Sequence, residues 1–246
     1  MLNPARIKYA ALAYGSVNKT DPGDARLLAD YCRKENPPLW RMATPEVQRL
    51  VALVRHRGVL LEQKGQTQNR LDQPILDQTV QRSLKKILRF LDREIAALEA
   101  QINKHIDNTP SLKADQELLT SIPGIGETTA QVILAELPDI KQFSSAQSAA
   151  AYAGLNPKEY QSGSSVKRRT RLSKQGNAQL RCALYWPAIS AVRFNPVIAD
   201  LYQRLIDKGK TKMAAIGAAM RKLLMIAYGV LKNRQTFTLK LVKDTP

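Results

Sequence analysis

The residues best suited to chemistry in this chain form one stretch, residues 160–181, in which hydroxyl side chains stand beside a run of cations. Three serines surround Gly163, a residue that permits a sharp backbone turn. No acidic residue interrupts the cations, so their charge is not neutralised locally. The pattern indicates either a contact with a phosphodiester or an ordinary solvated loop. The hydroxyls are those of Ser162, Ser164 and Ser165, and the cations are Lys167, Arg168, Arg169, Arg171, Lys174 and Arg181.

The charge of the whole chain favours nucleic acid as the partner. Its 246 residues include 38 Lys and Arg against 21 Asp and Glu, a net charge of +17. Most of this excess belongs to the C-terminal half, and between Asp139 and Asp200 the only acidic residue is Glu159. Such a surplus binds polyanions by neutralising phosphates and releasing counterions.

The cysteines, the histidines and the apolar runs restrict the class of protein. The 2 cysteines and 2 histidines do not have the spacing of a zinc site. Cys32 and Cys182 lie in apolar helical patterns, so we expect buried thiols in a reducing compartment. The longest apolar run, residues 213–231, is interrupted by Arg221 and Lys222, and the N-terminus lacks an apolar signal segment. The sequence therefore predicts a cytoplasmic, nucleoid-associated protein with no membrane partner.

Two carboxylates, Asp21 and Asp24, lie three residues apart at the start of a predicted helix. One interpretation is capping, with Asp21 as the N-cap and Asp24 facing the positive end of the helix dipole. The other is a divalent-metal site for phosphoryl transfer. Two carboxylates alone make a poor cage for Mg²⁺, and the spacing allows both interpretations.

The hydrophobic periodicity predicts a mostly α protein. Two long helices are predicted between residues 46 and 106, with a join near Pro74. In the second helix, apolar residues alternate at spacings of four and three, which favours an antiparallel hairpin, a dimerising coiled coil or an ordinary amphipathic helix. These apolar residues are Leu84, Leu88, Leu91, Ile95, Leu98 and Ile102.

A tight turn, Pro123-Gly124-Ile125-Gly126, separates two further apolar helices after a boundary at Thr109-Pro110. The turn looks like a helix-hairpin-helix, in which Gly124 and Gly126 expose backbone N–H groups to an anion. Such turns also serve as packing corners. Later helices are predicted over residues 144–153, over 177–192 with an interruption by Pro187, and near 196–207 and 213–232.

Several motifs, taken in order, closely resemble the insertion-sequence-110 (IS110) family of bacterial transposases, whose first domain is similar to RuvC nucleases. They are Asn-Pro-Ala, Lys-Thr-Asp-x-x-Asp-Ala-Arg, Ile-Pro-Gly-Ile-Gly, Ala-Tyr-Ala-Gly-Leu-Asn-Pro, Ser-Gly-Ser-Ser-Val, Ser-Lys-x-Gly-Asn and Met-Arg-Lys-Leu-Leu. The likeness covers nearly the whole chain. It implies a remnant of an RNase-H-like α/β domain over residues 1–45, a helical hairpin or coiled coil over 46–110, and an all-helical serine transposase domain containing the helix-hairpin-helix over 111–246.

The resemblance also implies roles for individual residues. Ser162 matches the family's serine nucleophile, which joins a DNA phosphate in a covalent intermediate, and Ser164 and Ser165 would shape the loop or contact phosphate. Asp21 and Asp24 match the last two of four metal-binding carboxylates. The family's other two precede Asn-Pro-Ala, so we expect an N-terminally truncated transposase that holds Mg²⁺ only if the missing carboxylates are supplied.

The partners implied by the resemblance are DNA, as element ends and target, a guide RNA, and further copies of the chain bound through the helical hairpin. Three functions follow as alternatives. The chain is a serine-dependent DNA transposase, impaired alone and completed by a second chain; a non-catalytic nucleic-acid-binding remnant or regulator; or a general RNA-binding or structural helix-hairpin-helix protein.

Overall fold

The chain forms two compact units, residues 1–42 and 43–246, in a computed structural model. The structure describes residues 4–15, 20–37, 42–137, 139–158, 161–162, 166–167 and 170–239, without the side chains of 4, 5, 161, 162, 166 and 167. Helices make up most of the described residues, which confirms the mostly α prediction. The β structure of these residues consists of two short antiparallel strand pairs.

The first unit contains helix α1 (Pro4–Ala13) and helix α2 (Asp21–Glu35). Thr20 has an extended backbone, and its hydroxyl accepts a hydrogen bond from the Gly23 N–H at 3.3 Å. The prediction of Asp21 as the N-cap is therefore wrong by one residue. Aspartate and threonine both cap helices, but the extended backbone that is typical of an N-cap is found at Thr20. The expected burial of Cys32 is also wrong: α2 buries Leu27, and Cys32 lies about 140° around the helix from it.

The second unit begins with an antiparallel hairpin of helix α3 (Pro45–Leu71) and helix α4 (Gln78–Asp107). Near its base, His105 Nε2 lies 2.8 Å from the Glu46 carbonyl oxygen, and further out Lys64 Nζ lies 2.6 Å from Asp92 Oδ1. The two predicted helices and their join near Pro74 are confirmed. The predicted apolar seam of α4 packs against α3 of the same chain, and Leu84, Leu91, Ile95 and Ile102 are buried in it.

Most of the remaining helices pack against α11 (Lys212–Asn233), whose residues are mostly buried. By length and composition α11 could cross a membrane, but 61% of its apolar window is buried inside the protein. Leu50 and Ile102 at the hairpin base belong to the same core, so the second unit is continuous across the predicted boundary at residue 110. The other elements are α5 (Pro110–Thr120), α6 (Glu127–Glu136), a 3₁₀ turn (Ile140–Gln142), α7 (Ala146–Tyr152), α8 (Ala178–Ala183), α9 (Tyr185–Phe194) and α10 (Pro196–Asp207).

The predicted interruption near Pro187 is present, but it falls at Leu184, between α8 and α9. Proline has no N–H, and its ring clashes with the carbonyl four residues earlier, so Pro187 disturbs the helix at Ala183 and Leu184 rather than at itself. Pro187 then lies in the first turn of α9. Cys182 is exposed, so its expected burial is wrong; Leu180 and Leu184 fill the core side of this segment.

Candidate nucleic-acid interface

The serine-rich segment forms a β arm, which we define as residues 157–172. It contains strands β1 (Pro157–Lys158), β2 (Gln161–Ser162), β3 (Val166–Lys167) and β4 (Arg171–Leu172). β1 pairs antiparallel with β4, and β2 pairs antiparallel with β3, with Ser162 opposite Val166. β2 and β3 therefore run side by side in opposite directions.

The β arm brings several predicted site residues onto one short hairpin. Ser162 ends β2, Lys167 ends β3, and Arg171 begins β4. Lys174 lies just beyond the arm, exposed and with a left-handed φ of 54°. Arg168 and Arg169, together with Ser164 and Ser165, lie outside the described residues.

Two cations of the β arm face each other across a strand pair. Lys158 on β1 is directly opposite Arg171 on β4, and both side chains are exposed. Neither forms an ion pair with any residue that the structure describes. Like charges directly opposite each other destabilise a strand pair, and a bound phosphate would remove that repulsion. The arm is therefore suited to an anion.

The base of the β arm depends on glycines that pack without a side chain. Gly176 has a φ of 152°, and a Cβ there would press against the carbonyl oxygen of Tyr152 and lie 2.7 Å from the Gly154 nitrogen. The Asn177 N–H donates to the same Tyr152 oxygen at 2.7 Å, and the Lys174 N–H donates to the Gly154 oxygen at 3.1 Å. These main-chain contacts bring both ends of the arm together.

Arg181, predicted to bind nucleic acid, is placed at this base. Its Nη1 donates to the carbonyl oxygens of Ala153, at 3.0 Å, and Lys174, at 3.3 Å. The guanidinium therefore joins the segment before the arm to the segment after it. In this position Arg181 orients the arm through protein contacts, whereas Arg171 and Lys174 leave their charges exposed.

A buried carboxylate, Glu136 at the end of α6, joins the arm's base to the hairpin. Arg55 on α3 donates to it through Nε at 2.7 Å and Nη2 at 2.9 Å. Asn177 Nδ2 donates to it at 2.8 Å, while Asn177 Oδ1 caps α8 by accepting from the Leu180 N–H. The sequence reasoning missed this network, although a glutamate within the apolar run Val-Ile-Leu-Ala-Glu-Leu was a usable signal.

The network makes stability depend on pH. Burial raises the pKa of the Glu136 carboxyl, but hydrogen bonds from Arg55 and Asn177 and the Arg55 charge outweigh it, so the net pKa lies below the ordinary 4.5. A lowered folded-state pKa stabilises the protein above the unfolded-state pKa, and this contribution is lost as pH falls through the folded value.

We expect Glu136→Gln to lower the free energy of unfolding by about 1–2 kcal/mol at neutral pH, because Arg55 loses its charged partner while staying partly solvated. The difference should shrink as the pH falls through the folded-state pKa of Glu136, because the wild-type carboxyl is then also protonated. Urea unfolding at neutral pH and at a series of acidic pH values measures it. Glu127→Gln, an exposed glutamate on the same helix, is the control, and a deficit that does not change with pH would contradict the assignment.

Two further contacts fix the sides of the arm. Arg221 Nη1 on α11 donates to Asn156 Oδ1 at 2.7 Å, immediately before β1. A Cβ on Gly217 of α11 would lie 3.3 Å from Leu172 Cδ1, so β4 packs closely on the same helix. The β1–β4 pair is therefore held by tertiary contacts with the core helix.

The Pro123–Gly126 turn lies between α5 and α6, as predicted, and it packs against α9. A Cβ on Gly124, whose φ is 103°, would lie 2.6 Å from Ala191 Cβ. Gly124 is thus required for packing, whereas Gly126 is exposed at the uncapped start of α6. Since α6 has 10 residues, this turn and the Glu136 end near the arm are about 15 Å apart.

The carboxylates Asp21 and Asp24 lie in the first turn of α2, with Asp21 exposed and Asp24 half-buried. Within the described ranges, no three Asp, Glu, His or Cys side chains come together as a metal site. Two carboxylates suit Mg²⁺ only when substrate phosphates, water or other carboxylates complete its six oxygen ligands. Asp21 and Asp24 alone therefore do not complete a Mg²⁺ site.

Two family models match this chain. The model described as "Transposase IS116/IS110/IS902 family" matches residues 116–203, which include the glycine turn, the β arm and its base. A second, described as a transposase and named for the DEDD transposases of IS110, matches residues 1–81, which include Asp21 and Asp24.

Individual proteins resemble the chain along most of its length. The pilin gene-inverting proteins of Moraxella bovis and Moraxella lacunata are each 37% identical over 239 residues, covering 96% of this chain and 73% of the relative. The transposase for insertion sequence element IS1111A of Coxiella burnetii is 23% identical over 267 aligned residues, covering 96% of this chain and 72% of the relative.

Proposed function

Since this chain belongs to the IS110 family of insertion-sequence transposases, we propose that it cuts and joins DNA strands with Ser162 as the nucleophile. The observation that carries the proposal is the β arm, in which Ser162 lies on β2 while Lys167 and Arg171 lie on β3 and β4 of the same short strand pairs. The relatives' printed names, transposase and gene-inverting protein, support a reaction that rearranges DNA.

The reaction is a pair of phosphoryl transfers. Ser162 Oγ loses its proton to a base and forms a bond to the phosphorus of a DNA phosphodiester. The bond from that phosphorus to one deoxyribose oxygen breaks, and this oxygen takes a proton and becomes a free hydroxyl. A hydroxyl of another strand then attacks the phosphoserine and releases Ser162. Each step exchanges one phosphate ester for another, so joining requires no nucleotide hydrolysis.

The cations of the arm stabilise the negative charge that develops on the phosphoryl oxygens. Lys158, Lys167 and Arg171 lie on the strands themselves, and Arg168 and Arg169 follow Lys167 in the sequence. Fixed cations around a transferring phosphoryl group stabilise the transition state without reorganisation. Arg181, Asn177 and Glu136 act as positioning residues, since their hydrogen bonds hold the base of the arm.

Asp21 and Asp24 would contribute to a Mg²⁺ site together with ligands from substrate or from other carboxylates. The ion would supply charge stabilisation for phosphoryl transfer. A second chain that contributes carboxylates is one source of the additional ligands. Without such ligands the chain would bind nucleic acid but transfer strands poorly.

A guide RNA is the second nucleic-acid partner that we propose. The net charge of +17 exceeds what a short arm uses, and the exposed start of α6 offers N–H groups to a backbone phosphate. Gly126 is the relevant residue there, whereas Gly124 supports the turn through packing against α9.

Covalent trapping tests the nucleophile. The wild-type chain is incubated with Mg²⁺, RNA transcribed from its element and element-end DNA, and the protein–DNA adduct is digested and sequenced by mass spectrometry. We propose that the modified peptide carries its nucleotide on Ser162. Attachment to another residue would exclude Ser162, and stable binding without any adduct would favour the alternative, a non-catalytic nucleic-acid-binding regulator.

We also propose that a second copy binds through the outer half of the hairpin. Several large apolar side chains are exposed there, including Phe90, at 52%, and Ile87, at 43%. Ile87 and Phe90 lie three residues apart on one side of α4. The other exposed apolar residues of the hairpin are Val59, Leu61, Ile75 and Val80.

Replacing both Ile87 and Phe90 by Glu should shift the protein to monomers, because the apolar surface that a second copy covers would carry charge instead. Sedimentation velocity over a range of concentrations measures the shift. Gln63→Glu, which adds a charge at an exposed polar position of α3 without removing apolar surface, is the control. Wild-type protein that is monomeric at every concentration would contradict this assembly.

A further inference from the structure

The outward side of α4 carries a row of cations opposite its buried seam. Successive helix residues are rotated by about 100°, so positions 82, 85, 86, 89 and 93 fall within an arc of about 100°. Leu84, Leu91 and Ile102 lie on the opposite side and are buried against α3 or the core. We call the row the α4 ridge; its members, all exposed, are Arg82, Lys85, Lys86, Arg89 and Arg93.

The basic face continues beyond the α4 ridge towards the base of the hairpin. Positions 96, 97 and 100 on this face are alanines, and Lys104 lies on the same side of the helix. The acidic residues of this part of α4 lie on other sides of the helix. None of them falls within an arc of about 120° around the helix axis that is centred on the ridge. They are Asp92, Glu94 and Glu99. From Arg82 to Lys104 the acid-free face is about 33 Å long, close to one turn of duplex DNA.

The ridge cations have no acidic partner among the residues that the structure describes. The neighbouring helix differs, since Arg55 of α3 pairs with Glu136 and Lys64 pairs with Asp92. Cations spaced three or four residues apart on a helix repel one another. The ridge therefore has a destabilising charge pattern that a polyanion would neutralise.

A polar cavity of about 340 Å³ lies beside Lys104, towards the base of the hairpin. It is lined by Lys104 and His105 of α4 and by Arg49 of α3, with amides from Gln101 and Asn108. None of these lining side chains is a carboxylate. Amides and cations around a concave site suit a phosphate group, and Lys104 connects this cavity to the basic face.

We propose that the α4 ridge and this cavity form a second nucleic-acid contact, distinct from the β arm, which binds the sugar-phosphate backbone of a duplex. The inference rests on the proposed function, because it requires a nucleic-acid partner. The hairpin gives the ridge a fixed shape through its buried seam and through the contacts of Glu46 with His105 and Lys64 with Asp92. The side of α4 that bears Ile87 and Phe90 stays available to a second copy.

The salt dependence of binding tests the inference. The slope of log K against log salt concentration becomes shallower by about 0.9 for each phosphate that the protein no longer neutralises. The full chain carrying Lys86→Gln and Arg89→Gln should therefore show a slope shallower by about 2 than wild type. Fluorescence anisotropy with double-stranded DNA and, separately, with double-stranded RNA gives the slopes and shows which duplex the ridge binds.

A matched control removes the same charge elsewhere. Lys208→Gln with Lys210→Gln deletes two exposed cations in the turn between α10 and α11. Its slope should stay at the wild-type value, and circular dichroism should show unchanged helix content in both variants. Equal slope changes in both double variants would contradict a specific contact at the ridge, because the effect would then depend only on net charge.

The outcomes separate this inference from the proposed function. Wild-type protein that binds neither duplex would overturn both the inference and the proposed function. If the wild-type protein forms the serine adduct but the ridge variant keeps the full salt slope, only the inference that the ridge binds nucleic acid is overturned. A reduced slope for one duplex or for both supports nucleic-acid binding by the ridge and identifies its ligand.

Discussion

Ser162→Ala is expected to abolish the covalent protein–DNA adduct while leaving DNA binding nearly intact. The substitution removes the attacking oxygen, and loss of a nucleophile lowers a covalent step on the order of 10³-fold or more. Binding depends instead on cations such as Lys167 and Arg171, which the substitution does not change. Denaturing gels with labelled element-end DNA measure the adduct, and anisotropy measures the affinity.

The matched controls are Ser164→Ala and Ser165→Ala, which remove hydroxyls from the same segment without changing its charge. Both should still form the adduct. An adduct of unchanged yield in the Ser162 variant would remove this residue from catalysis. If both adduct and binding disappeared together, the substitution would have damaged the arm, and Ser162 would be assigned a structural role.

Gly176→Ala is expected to lower the free energy of unfolding by about 2–4 kcal/mol. An added Cβ meets main-chain atoms of Tyr152 and Gly154, which cannot rotate away as a side chain would. The φ of 152° adds backbone strain for any residue with a Cβ. The Asn177 N–H bond to Tyr152 lies at the same point, so the base of the arm must shift. Urea unfolding monitored by circular dichroism measures the decrease.

Gly65→Ala provides the comparison within the same chain. Gly65 lies inside α3, and an added Cβ would meet no atom within 4 Å. Alanine is the better helix former, so this variant should gain about 0.5–1 kcal/mol. A neutral or stabilising result for Gly176→Ala would contradict the description of the arm's base as tightly packed.

The helices of the second unit were predictable because their signals are local. The apolar spacing in α4 and the join near Pro74 depend on residues close together in sequence, and the structure has the corresponding helices. The two cysteines show the limit of such reasoning. Cys32 and Cys182 lie in apolar stretches, but which side of a short helix is covered depends on its neighbours, and both thiols are exposed.

The sequence by itself determined the mostly α class, the hairpin helices and, through the resemblance of its motifs, the family, since these depend on local periodicity, charge and order along the chain. Only the tertiary structure decided that Arg181 holds main-chain carbonyls, that Gly124 packs on Ala191, and that Glu136 joins the arm to α3. Arg55 and Glu136 are 81 residues apart. No local pattern encodes such a contact, because folding alone brings distant groups within hydrogen-bonding distance.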